Sequence, residues 1–327
     1  MDYSACTLCP RMCGVNRYES LGFCRCRPVP KAARAALHQW EEPCISGIRG
    51  SGTVFFSGCT LRCCFCQNHE ISSGGFGMDL TAERLGDIFL ELEAQGAHNI
   101  NLVTPTQYLP SILRALDLVK HRLSIPVVYN CGGYERPETI DALNGYVDIY
   151  LPDLKYKSTV LSARYSQAPD YFYWASQAIP AMIRQTGAPV FSQEDGCQLL
   201  KKGVILRHMI LPGQKEDSKT LLDWIADTLP KGQFLISLMS QYTPFYRSQE
   251  FPEINRRITT YEYNQVLDYA ISRNLTDGYM QKKSSAREEY TPPFQLQGLS
   301  PSQMKNTETQ TFHETYPNAA PSETAST

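Results

Sequence analysis

The sequence predicts an α/β chain: a partial (β/α)6 barrel of parallel strands with a Cys-rich N-terminal extension. Three observations carry this. Short β-branched runs alternate with helical patterns after residue 50. The runs number six, which suits an open barrel better than a closed eight-stranded one. The length of 327 residues accommodates one unit of about 200 to 250 residues with extensions at both ends.

The six runs are Thr53 to Phe56, Asn99 to Thr104, Pro126 to Asn130, Val147 to Leu151, Val204 to Leu211 and Phe234 to Leu238. Between the first two, Leu85, Ile88, Phe89 and Leu92 recur at helical spacing, Thr81 suits the N-cap and Gly96 the end. After the fifth run, Leu211-Pro212-Gly213 turns the chain, Asp217 or Ser218 can cap, and Leu221, Leu222, Ile225 and Leu229 mark an apolar face. Tyr263, Val266, Leu267, Ala270 and Ile271 mark a last helix. The expected division is a metal-binding extension over 1–50, a catalytic core over 51–299 and a disordered Ser/Thr/Gln-rich tail over 300–327. In such folds ligands gather beyond the carboxyl ends of the strands, so motifs there carry the functional reading.

Composition excludes some classes. With 31 basic against 33 acidic side chains, the chain presents no bulk field toward nucleic acid or an anionic membrane. No stretch approaches the roughly 18 uninterrupted apolar residues of a membrane span, and the N-terminus lacks a secretory pattern. A cytoplasmic protein is expected. Ten of the 12 cysteines lie within the first 66 residues at close spacings, which favours metal ligation in a reducing compartment over a disulfide framework.

Directly after the first run comes Ser57-Gly58-Cys59-Thr60-Leu61-Arg62-Cys63-Cys64-Phe65-Cys66-Gln67-Asn68, a C-x3-C-x2-C triplet on a loop. Three thiolates on one loop can hold three irons of a 4Fe-4S cubane, leaving the fourth iron without a protein ligand there and open to a small molecule. A zinc knob is the alternative, with His69 as its fourth ligand. Cys64 reads as a packed thiol.

The triplet, with Phe65 before its last cysteine and its place after the first strand, resembles the signature of the radical S-adenosylmethionine superfamily. The resemblance implies a cluster on Cys59, Cys63 and Cys66 that reductively cleaves S-adenosylmethionine to methionine and a 5′-deoxyadenosyl radical, which abstracts hydrogen from a substrate. It also implies that Phe65 lies near the adenine.

Further segments resemble homologues of pyruvate formate-lyase activating enzyme within that superfamily: Val103-Thr104-Pro105-Thr106, Val128-Tyr129-Asn130, Leu151-Pro152-Asp153-Leu154-Lys155, Arg207-His208-Met209-Ile210-Leu211-Pro212-Gly213 and Leu238-Met239-Ser240-Gln241-Tyr242. The likeness spans about residues 6 to 299. By it, Asp153 and Lys155 hold the carboxylate end of S-adenosylmethionine, and Asn130 stands where the activating enzyme has an acidic group. Read without it, an Asp and a Lys two apart at a strand end are an ordinary solvated pair. The sequence departs from the pattern in lacking Gly-Gly-Glu after the second strand. Thr104 and Thr106 stand there, and their hydroxyls or carbonyls are expected to accept from the methionine ammonium, which needs acceptors and not specifically a carboxylate. His208 reads as packing before proton donor.

Cys6, Cys9, Cys13 and Cys24, with Cys26 just beyond, follow spacings that suit a zinc site or a second iron-sulfur cluster. The implied activity is hydrogen abstraction from an unidentified substrate, with a glycyl radical enzyme as one candidate partner and a flavodoxin or ferredoxin as electron donor. The alternative, motivated by the missing Gly-Gly-Glu, is a non-catalytic iron-sulfur or zinc protein serving as electron carrier or scaffold.

Overall fold

Strand-helix alternation builds one curved sheet in the computed structural model, which describes residues 2–281 and 292–301. In chain order the elements are β1 (Lys31–His38), α1 (Pro43–Ser46), β2 (Ser51–Phe56), α2 (His69–Ser72), β3 (Met78–Asp79), α3 (Ala82–Ala94), β4 (Ile100–Val103) and α4 (Leu109–Val119). There follow β5 (Val127–Cys131), α5 (Pro137–Asp141), β6 (Ile149–Pro152), α6 (Thr159–Ser166), α7 (Tyr171–Thr186), β7 (Val190–Glu194) and β8 (Cys197–Met209). Last come α8 (Lys215–Thr228), β9 (Leu235–Met239), α9 (Thr260–Ser272) and β10 (Gly278–Met280).

The six expected runs are β2, β4, β5, β6, β8 and β9, neighbours in that order and mutually parallel. Their inner residues are buried on both faces, the pattern of a sheet covered by crossover helices. β10 adds a further parallel strand beside β9. At the other edge β1 runs antiparallel to β2 and carries the short β3, while β7 folds back antiparallel on β8. These added strands went unread because β1 is Ala-rich, β10 is three residues long and β7 is largely polar. Since β1 lies within the sheet, the expected extension over 1–50 is divided: residues before 31 wrap the barrel, and residues 31–38 are part of it.

Helix α3 begins where expected, with the Thr81 hydroxyl accepting from the Arg84 amide at 3.1 Å, and Gly96 follows its end at φ +90°. The cap expected for α8 is corrected. Gln214 occupies the N-cap, and Asp217 lies inside the first turn, where its carboxylate instead accepts from the amides of Lys157 and Ser158. Helix α9 has a capping box between Thr259 and Glu262 that the sequence reading passed over. Its apolar stripe is narrower than expected, because Ile271 is exposed. Residues 296–299 pack along β1, where Leu296 and Gln297 bond with Ala33 and Ala35. The expected disordered tail lies, beyond Pro301, outside the described residues.

Strand register brings the functional segments together. Val103 pairs with Asn130, Cys131 with Pro152, and Asp153 bridges to Arg207. The cysteine loop, Thr104, Asn130 and Asp153 thus share the carboxyl end of the sheet. The β1–β2 connection must lie at the opposite end, and from there Glu41 reaches into the barrel.

Candidate active site

Cys59, Cys63 and Cys66 line one cavity of about 250 Å³ together with Phe65, Thr104, Asn130, Asp153, Lys155 and Arg207. The loop that carries the cysteines leaves β2 through Gly58, at φ +80°, where a Cβ would lie 2.2 Å from the Cys26 sulfur. Only glycine suits that close approach. Gln107 fixes the loop from the 3-10 turn at Thr106–Tyr108 after β4, donating through Nε2 to the carbonyls of Ser57, Gly58 and Thr104 at 3.1, 3.1 and 2.7 Å. On its outer side Arg62 donates to the carbonyls of Cys59 and Leu61, both at 2.9 Å, and to that of Phe23.

Each of the three sulfurs has a polar neighbour. The Leu61 amide donates to the Cys59 sulfur at 3.4 Å, the Ser166 hydroxyl donates to Cys63 at 3.0 Å, and the Ser72 hydroxyl lies 3.3 Å from Cys66. Burial pushes the Cys59 thiol up to about 12 and the Cys66 thiol up to about 11, and the neighbouring thiols add to the effect. The buried Cys59 and Cys66 thiols resist ionisation until a cation joins them, and the positive iron core of a cluster meets that need. Among the described residues no three His, Cys, Asp or Glu side chains converge as single-ion ligands. A cubane has no such requirement, because each thiolate meets a different iron. His69 is stacked on Tyr246 at 4.7 Å, and it does not line the cavity. Cys131 reaches the wall, but the charged groups that perturb it are Glu135, Asp153 and Arg207, not the loop thiols. Cys64 is buried in the core beside the cavity. The donor set therefore fits a cluster held at three corners.

Opposite the cysteines lies a charged network. The Lys155 ammonium donates to Asp153 Oδ2 at 2.6 Å, and the other carboxylate oxygen takes Arg207 Nε at 3.0 Å. Arg207 also donates to Asn130 Oδ1 at 2.6 Å and to Glu41 Oε2 at 3.3 Å. Glu41 Oε1 accepts from the amides of Asn101 and Asn130 at 3.0 and 3.2 Å. Burial alone would lift the Asp153 carboxyl, but Lys155 and Arg207 hold it below its usual range. For Lys155 burial is likewise outweighed, by Asp153 and by Cys63, and its ammonium is held above the ordinary lysine range. Asp153 and Lys155 are thus a shielded pair facing the cluster loop, not a solvated one. Phe65 lies in the wall, edge-on to Tyr242 at 5.6 Å.

The threonines divide. Thr104 lines the cavity, its backbone at φ +57°. Thr106 does not: its hydroxyl donates to Glu135 at 2.9 Å and accepts from Tyr129 at 3.0 Å, turned into the protein. The buried Glu135 claims the Thr106 hydroxyl, which leaves only its carbonyl for the acceptor role expected of it. His208 is held between the Leu154 carbonyl at 2.7 Å and the Ser218 hydroxyl at 2.9 Å, and burial lowers it to about 4, a neutral packing residue.

The N-terminal cysteines gather near the back of the cluster loop. The Cys26 thiol donates to the Cys24 carbonyl at 3.2 Å, Arg17 donates to the Cys26 carbonyl at 3.0 Å, and Cys6 lies 3.9 Å from the same guanidinium. Cys9 is near enough to Cys6 and Cys24 to feel both charges, and Cys13 is exposed. They are grouped without converging on one point.

Sequence reading missed Arg207, Glu41, Ser166, Ser72 and Gln107. Arg207 stands within a quoted motif, and its place opposite Asp153 could have been inferred from parallel pairing. Glu41 and Ser166 carry no local signal, since folding alone brings them to the site.

The sequence pattern of the Radical SAM superfamily matches residues 53–156, the stretch from β2 to Tyr156 that holds the cysteine loop, Thr104, Asn130, Asp153 and Lys155. Uncharacterized protein MJ0674 of Methanocaldococcus jannaschii is 30% identical over 283 residues, covering 84% of this chain and 76% of that protein. Among solved structures, Streptococcus suis SuiB bound to S-adenosylmethionine matches 68% of this chain and 48% of its own at 14% identity and TM-score 0.46. HydG, a maturase of the [FeFe]-hydrogenase, matches 71% and 51% at 13% identity and TM-score 0.47. The chain spans about half the length of these two structures.

Proposed function

We propose that the chain, whose residues 53–156 match the radical SAM superfamily, cleaves S-adenosylmethionine reductively and passes the resulting radical to a small-molecule substrate. A cluster on Cys59, Cys63 and Cys66 supplies, when bound, the electron that splits S-adenosylmethionine into methionine and a 5′-deoxyadenosyl radical. The observation that carries the reading is the sharing of one buried cavity by the three loop thiols and the Asp153–Lys155 pair.

The chain's own residues have separable tasks. Lys155 offers an ammonium to the methionine carboxylate, held in place by Asp153, which is itself anchored by Arg207. Thr104 supplies acceptors to the methionine ammonium. Phe65 presents an apolar wall to the adenine. Ser166, Ser72 and the Leu61 amide stabilise the thiolates and so tune the reduction potential of what they bind.

A second cavity of about 630 Å³ adjoins the first, and its volume suits a small molecule. The strand-end segments, which resemble those of homologues of pyruvate formate-lyase activating enzyme, favour a second reading, in which the hydrogen donor is a glycine of a partner glycyl radical enzyme. Flavodoxin or ferredoxin would supply electrons in either case. Cys6, Cys9, Cys13 and Cys24 are proposed as a second metal site, zinc or iron-sulfur, bracing the cluster loop from behind.

The experiment is anaerobic incubation of reconstituted protein with S-adenosylmethionine and dithionite in deuterated candidate substrates. Deuterium appearing in 5′-deoxyadenosine identifies the donor. If 5′-deoxyadenosine never forms, the electron-carrier or scaffold alternative gains the support that this reading loses.

A further inference from the structure

The larger cavity runs along the open side of the barrel, between the β1–β2 connection on one wall and β9 with β10 on the other. It shares Trp40, Glu41, Arg207, Met239 and Gln241 with the cysteine-lined cavity, so the two communicate. Two carboxylates adjacent in sequence enter it, and they differ in what satisfies them. Glu41 is occupied by Arg207, Asn101 and Asn130. Glu42 is only 9% exposed, and its Oε2 is buried without a hydrogen-bond partner among the described residues. Across from it on β9, Ser237 is wholly buried, and among the described residues its hydroxyl faces the Glu42 carboxylate and no other partner.

Buried polar groups in folded proteins are paired with few exceptions, and a buried carboxylate on a cavity wall that has only a serine hydroxyl facing it calls for a ligand that donates. Charge gives the sign. Among the described residues around the joined cavities, three carboxylates, Glu41, Glu42 and Asp153, share two cations: Lys155 pairs with Asp153, and Arg207 bonds Asp153 and Glu41 while its charge also reaches Glu42. Trp40, Met239 and Tyr279 add an aromatic and thioether surface, suited to an apolar body and to a cation above a ring.

We propose that this cavity binds a small molecule carrying a protonated amine or guanidinium, its cationic head on Glu42 and Ser237 and its body directed along Trp40 and Met239 toward the cysteine-lined cavity. The inference rests on the reading that the inner cavity holds S-adenosylmethionine, since it makes the amine the substrate's handle. Neither Glu42 nor Ser237 touches the three loop cysteines.

The test uses full-length reconstituted protein and three probes of one size, benzylamine, benzyl alcohol and benzoate, with affinity read by saturation-transfer NMR. Benzylamine is expected to bind at least tenfold more tightly than the other two. Glu42→Gln should abolish that preference, and Ser237→Ala, a small change that keeps the wall intact, should weaken benzylamine about threefold. Equal binding of the three probes, tighter binding of benzoate, or a benzylamine preference that survives both substitutions would overturn the proposal. The outcome is separable from S-adenosylmethionine cleavage: Glu42-dependent amine binding by a protein that releases no 5′-deoxyadenosine would refute the enzymatic reading and leave this site standing.

Discussion

Arg207→Met removes a buried guanidinium while keeping the length of its stem. The side chain joins Asp153, Asn130 and Glu41 across the barrel, and its loss leaves Glu41 with two amide donors and Asp153 with Lys155 alone. Breaking a buried ion pair from one side is worth roughly 3 to 5 kcal/mol. At about 2 cal/mol/K of unfolding entropy per residue, a chain of this size should lose roughly 5 to 8 °C in Tm. The pH dependence has a definite sign. Burial holds the Glu41 carboxyl above its ordinary range even with Arg207 beside it, and without that cation the value rises further. A raised carboxyl destabilises the fold at high pH and is relieved as a proton binds. Scanning fluorimetry should therefore show the gap between wild type and variant widest near pH 8 and narrowing as pH falls toward the ordinary carboxylate range. A Tm within a degree of wild type near pH 8, or a gap indifferent to pH, would refute the reasoning.

Gly58→Ala should drive the cysteine loop off Cys26, because a Cβ there meets that sulfur at 2.2 Å and the backbone sits at φ +80°; iron content after reconstitution should fall well below that of wild type. Lys155→Met should weaken S-adenosylmethionine binding by roughly 1.5 to 3 kcal/mol, ten- to a hundredfold by equilibrium dialysis, as one charge-assisted bond is lost. Glu135 is buried and pushed up to about 8, so wild-type stability should decline as pH rises from the unfolded carboxylate value toward 8, and Glu135→Gln should flatten that decline in denaturant titrations. Serine at Cys9 and Cys24 together should lower the bound zinc or iron by one site while leaving the cluster of the 59–66 loop; unchanged metal content would remove the proposed second site.

The parallel core was legible because strands buried on both faces write their apolar runs locally: β2, β4, β5, β6 and β9 stand within two residues of where the pattern placed them, while β8 begins at Cys197, seven residues before its apolar run. The cysteine loop was legible for the same reason, its three thiols lying within eight residues. What escaped was whatever depends on distant chain. Glu41 enters from the far end of the barrel to meet Arg207, 166 residues away, and Ser166 reaches Cys63 across 103. The direction of the Thr106 hydroxyl escaped because the spacing that placed it beside Thr104 says nothing of the 3-10 turn at Thr106–Tyr108, which turns that hydroxyl toward Glu135. β1 was passed over because alanines carry little strand signal, and its burial comes from β2 and the 296–299 segment.

Quantifying 5′-deoxyadenosine and methionine from anaerobically reconstituted protein tests the central claim most directly. Wild-type protein carrying about four irons on the loop cluster should form the two in equal amounts under dithionite, and Cys59→Ala, Cys63→Ala and Cys66→Ala should each form none. Cluster-loaded protein that leaves S-adenosylmethionine intact, or a variant lacking those thiols that still cleaves it, would contradict the account.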